Sequence, residues 1–91
     1  MKEKILLSTT GNVTGDTVGW DKTRYPEAVA VFTVTGAGTL QIQGKFVSDA
    51  TYVNLHTAQT ATGVLIITTM PLMRAVSSGV SGGVVRVTIG A

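Results

Sequence analysis

The sequence predicts an all-β fold, a small antiparallel β-sandwich of about seven or eight short strands. β-Branched, alternating stretches occupy residues 28–35, 39–46, 64–69 and 84–89. Gly-rich turns cut them apart at roughly 8–12-residue spacing, the rhythm of sandwiches and barrels. No segment sustains the 3.6-residue apolar period of a helix. The best helical alternative, 54–61, carries Thr57 and Thr60 and has no apolar stripe. Jelly-roll and immunoglobulin-like strand orders both fit this pattern.

Residues 1–10 read as an N-terminal arm or a first strand, and 11–91 as a single sandwich domain. In the first segment, alternation puts Ile5 and Leu7 on one side and Lys4 and Leu6 on the other. Residues 11–19 hold Gly11, Gly15 and Gly19 and read as a loop or loose strand, with Val13 and Val18 as anchors. Trp20, the only tryptophan, is expected as a core or interface plug. Asp21 suits a turn, and Pro26 biases Tyr25 toward an extended backbone.

The clear β pattern starts after Glu27. Val29 and Val31 alternate with Ala30, Phe32 and Val34, so both faces of that strand are apolar and a central position covered on each side is expected. Gly36, Ala37 and Gly38 read as a three-residue hairpin. The next strand sends Leu40, Ile42, Gly44 and Phe46 one way and Gln41, Gln43 and Lys45 the other. A turn at 48–50 leads to a short strand holding Tyr52, then a Thr- and Ala-rich loop over 56–63. Residues 64–69 read as a buried strand ended by Met70 and Pro71. Residues 72–77 resume as a strand, 78–83 as a flexible turn, and the last strand points Val85, Val87 and Ile89 inward with Arg86 and Thr88 outward.

The bulk composition narrows the function. Ninety-one residues make one domain with a marginal core. Small domains compensate with disulfides, metals or oligomerisation. With no Cys and one His, the first two routes find no ligands, which leaves a homo-oligomer as the expectation. Charged residues are only 13%, against about 25% in typical domains, so either Thr, Ser and Gln coat the surface or much of it is covered by other subunits. The net charge of +2 is scattered along the chain without a basic patch, which argues against nucleic-acid binding. No run approaches the roughly 18 apolar residues of a membrane helix. The apolar run Ile5, Leu6, Leu7 is too short for a secretion signal, so synthesis in the cytoplasm is expected.

Catalytic chemistry finds little support. Asp16, Asp21 and Asp49 sit in turn contexts, Glu27 at a strand end, and His56 has no partner visible in sequence. The Gly-rich stretch at 79–83 lacks the Lys-Ser/Thr ending of a phosphate loop. No cofactor, metal site or small-molecule substrate is expected. Trp20, Tyr25 and Tyr52 offer the only aromatic set for a sugar platform, with core or interface packing as the stronger reading.

Four features stand in a fixed order: TGDTVGW at 14–20, VFTVTG at 31–36, TLQIQG at 39–44, and PLMRAVS at 71–77 leading through a Gly-rich turn into VVRVTI at 84–89. In that order the chain resembles the small β-sandwich virion proteins of tailed bacteriophages, of the capsid decoration or cement type. The segment 45–55 departs from that pattern, with Tyr52 where a Trp is expected. The resemblance implies a non-enzymatic virion protein, synthesised in the host cytoplasm, that binds the outside of a phage head and stabilises it. Its partners would be itself, as dimer or trimer, and a major capsid protein. A head-fibre, tail or baseplate module, or a carbohydrate-binding sandwich, are the alternatives. Capsid or subunit contact is expected at the arm, through Lys2, Lys4, Ile5, Leu6 and Leu7. Trp20, Tyr25, Phe32, Phe46, Tyr52 and Arg74 are expected as core or interface anchors, with Arg74 in a structural ion pair.

Overall fold

The computed structural model describes residues 3–91, so Lys2 lies outside the described residues. It contains eight strands: β1 (Glu3–Thr9), β2 (Val18–Gly19), β3 (Glu27–Val34), β4 (Ala37–Lys45), β5 (Val53–Asn54), β6 (Gly63–Thr68), β7 (Leu72–Ser81) and β8 (Val85–Gly90). They form two four-stranded sheets, β1-β8-β3-β6 and β2-β7-β4-β5, antiparallel throughout. All consecutive strands except β4 and β5 lie in different sheets, so the chain crosses between layers at nearly every turn.

The inward faces meet in one apolar layer. Phe32 and Ala30 of β3, Leu40 and Ile42 of β4, Met73 and Ala75 of β7, and Val85, Val87 and Ile89 of β8 are completely buried. Period-two alternation produces this directly in β8, where Val85, Val87 and Ile89 turn in and Arg86 turns out.

Of the two forms expected for the N-terminus, residues 3–9 take that of a first strand, paired with β8. Several other features differ from the sequence expectation. Strict alternation fails in β1. The register shifts between Ile5 and Leu7, and this bulge turns both Leu6 and Leu7 into the core while Ile5 stays exposed.

The Gly36 turn is not a hairpin, because β3 and β4 belong to different sheets. It is a corner. Gly36 takes a left-handed φ of 85°, and an added Cβ would lie 2.5 Å from the Ser81 carbonyl oxygen. Thr35 fixes the corner to the start of β8. Its hydroxyl donates to the Val84 carbonyl at 2.9 Å and accepts from the Val84 amide at 2.8 Å.

β7 runs on to Ser81, through the stretch expected as a flexible turn, because β4 continues to pair with it up to Ala37. β6 is an edge strand, and only Ile67 is fully buried within it.

Candidate functional site

The two outer faces of the sandwich have opposite characters. On the first sheet the pairing aligns side chains in rows across the strands. Ile5, Thr88, Val31 and Val64 form the central row. On one side lies the row Glu3, Gly90, Val29 and Ile66; on the other lie Ser8, Arg86 and Thr33. Glu27 and Thr68 pair one step beyond Val29 and Ile66.

This face is apolar at its middle and open to solvent. Val29 is 43% exposed, Val31 41%, Val64 62% and Ile66 72%. The strand expected to be covered on each side is therefore covered on one side only within a single chain. Likewise β6 is half-exposed where a buried strand was expected. A shallow depression, lined by Glu3, Val29, Val31, Thr33, Arg86 and Gly90 among others, runs along the β8–β3 part of the face. Gly90 stands in the outer row there, between Glu3 and Val29, and brings no side chain to it.

The outer face of the second sheet is polar and tied down. Arg74 donates from Nε to Gln43 Oε1 at 2.9 Å, and its guanidinium lies 3.9 Å from the centre of the Tyr52 ring. Lys45 approaches the same ring at 5.2 Å. The Tyr52 hydroxyl meets the Thr17 hydroxyl. Thr17 precedes β2 and Tyr52 precedes β5, so this contact links the two edges of the sheet across its face. Arg74 thus holds its place by stacking and an amide contact; it makes no ion pair with a carboxylate among the described residues, contrary to expectation. A planar cation on an aromatic face needs no carboxylate nearby.

The remaining anchors separate. Trp20 is a core residue, 5% exposed, with its indole donating to the Tyr25 carbonyl at 3.0 Å. Thr69, fully buried, donates to that same carbonyl at 2.7 Å. Tyr25 packs beside Trp20, with ring centroids 6.1 Å apart. Of the three aromatics Trp20, Tyr25 and Tyr52, Trp20 is buried and Tyr52 carries the Arg74 guanidinium against its ring. Phe32 is core. Phe46 lies just past the end of β4 and is half-exposed beside Val47 at the start of the β4–β5 connection, instead of following Leu40 and Ile42 inward. Of the expected contact residues at the N-terminus, Leu6 and Leu7 are committed to the core, while Lys4 and Ile5 remain on the surface.

His56 was legible only as a residue lacking a catalytic partner. In the fold its Nε2 accepts a hydrogen bond from the Ile42 amide at 2.8 Å, and its Nδ1 lies 2.6 Å from the Thr57 carbonyl. The ring bolts the 55–62 loop to β4 and packs edge-on against Phe32 at 5.1 Å. The local sequence gave no sign of this, because Ile42 lies 14 positions away. Among the described residues, no three His, Cys, Asp or Glu side chains gather as a metal site.

The chain matches no family model, and no curated protein or solved structure matches it at a significant level.

Proposed function

We propose that this chain is a structural assembly module, a jelly-roll sandwich that acts by burying the outer face of its β1-β8-β3-β6 sheet against other protein subunits. The observation that carries this is the four-residue aliphatic centre of that face, Val29, Val31, Val64 and Ile66, left open on a domain whose second outer face is polar and clasped. Small monomers seldom leave contiguous aliphatic sheet exposed without a partner.

The strand order supports the fold name. Sheets ordered 1-8-3-6 and 2-7-4-5 are what eight strands wound as a jelly roll produce, and the immunoglobulin order differs. Jelly rolls recur in viral capsid and lectin domains, so this is support by analogy and ranks below the site itself. The lectin reading loses ground because Trp20 is buried.

The assembly we propose is a tailed-phage virion, with this chain as a capsid decoration protein on the head exterior, partnered by itself and a major capsid protein. The ordered motifs from 14 to 89 and the apolar outer face are the support. Nothing in this role calls for catalysis. The test is cosedimentation with heads assembled from the major capsid gene carried in the same genome. Saturable binding, abolished by Ile66→Lys with the fold intact, is expected. No binding to such heads, or full binding by Ile66→Lys, would refute it.

A further inference from the structure

We propose that the outer face of the first sheet packs against the same face of a second copy, across a two-fold axis lying in the interface and perpendicular to the strands. This rests on the reading above that the face is a protein contact surface, and it names the partner that face takes first.

The charge pattern selects this partner. Arg86 stands at one end of the face; Glu3, in the row of Val29 and Ile66, and Glu27 beyond it stand at the other, with the central row of Ile5, Val31 and Val64 between. All three are exposed, and none has an ion-pair partner among the described residues. Arg86 and Gly90 are four residues apart on β8, about 13 Å at strand rise.

A two-fold about the cross-strand direction reverses the strands and keeps each strand over its own copy. The central row, with Val31 and Val64, then meets itself, and Arg86 lands over the partner's Gly90. That glycine lies on β8 between β1 and β3, so the guanidinium enters the depression with the partner's Glu3 on one side and the partner's Glu27 on the other. The symmetry repeats the contact, which makes one face complementary to itself. A two-fold along the strands would instead lay β8 over β3 and β1 over β6, setting Arg86 over Thr33 beside the partner's Arg86 and Glu3 over Ile66, with no acid opposite the guanidinium. Edge-to-edge pairing through β6 would leave Val29 and Val31 in water.

The size sets the strength. Four strands at about 4.8 Å and three rows along them give a face of roughly 20 Å by 20 Å, or about 400 Å² per copy. Both copies together fall below the roughly 1,200 Å² of standard stable interfaces. The pairing is therefore a reversible one, followed by dilution.

Sedimentation velocity of the full chain over a concentration series is the test, with circular dichroism confirming each fold. The wild type is expected to pass from monomer to dimer. Arg86→Glu should weaken dimerisation by roughly tenfold or more, because it places like charges together at both symmetric contacts. Arg86→Glu combined with Glu3→Arg and Glu27→Arg should restore much of it, and Val31→Lys should abolish it. A wild type that stays monomeric at every concentration overturns the inference. So does a dimer indifferent to Arg86→Glu, or a charge-swapped variant no tighter than Arg86→Glu alone. A higher oligomer lost on Val64→Pro but not on Arg86→Glu would mean edge pairing and would also overturn it. A monomeric wild type that still binds heads, and loses them on Ile66→Lys, would defeat the two-fold pairing and leave the proposed function standing.

Discussion

Replacing His56 tests the internal logic of the fold most sharply. The imidazole Nε2 accepts the Ile42 amide, and Ile42 is wholly buried on β4. His56→Phe keeps the ring, its volume and its edge contact with Phe32, but removes the acceptor. The Ile42 amide would then be a buried donor without a partner, which costs about 1–3 kcal/mol. The 57 carbonyl faces water more readily and adds little. For a domain of this size, 1 kcal/mol shifts Tm by about 4–8 °C, so a fall of roughly 5–20 °C is expected. Urea unfolding at fixed protein concentration should show a lower midpoint with an unchanged slope. His56→Ala should cost more, since it also opens space against Phe32. If His56→Phe unfolds within about 0.5 kcal/mol of wild type, the ring is not bolting the loop to β4.

Two further outcomes follow from the packing. Deleting residues 1–7 removes most of β1, including Leu6 and Leu7. Losing each buried Leu costs about 2–5 kcal/mol in a domain whose whole stability is about 5–15, so the cooperative unfolding transition should disappear. A deletion variant that keeps a sharp transition would show that β1 is dispensable. On the opposite face, a double-mutant cycle of Arg74→Ala and Tyr52→Leu should give a coupling of about 0.5–1 kcal/mol from the guanidinium stack. Zero coupling would mean that the stack contributes nothing.

Much of the site was half-legible in sequence. The 28–35 stretch showed two apolar faces, and both exist: Ala28, Ala30 and Phe32 fill the core, while Val29 and Val31 stand on the open side. What sequence could not show is that a single chain covers only one of them. That depends on which sheet β3 joins and what lies over it. Arg74 was singled out, but its expected carboxylate partner gave way to Tyr52, 22 positions earlier and brought in by the turn before β5. Leu6 and Leu7 were read by alternation, and the bulge that defeats alternation arises from pairing with β8 at the far end of the chain.

Period-two patterning and Gly-rich punctuation were enough to make the chain all-β, because side-chain alternation and left-handed glycines are local properties of the backbone. Poverty in charge, and the lack of thiols, likewise belong to composition alone. Sheet membership, strand order, the β1 bulge, the His56 bolt and the apolar face with its opposed charged ends came only with the tertiary structure. Each joins residues far apart along the chain, and no local preference encodes which distant strand a given edge will meet.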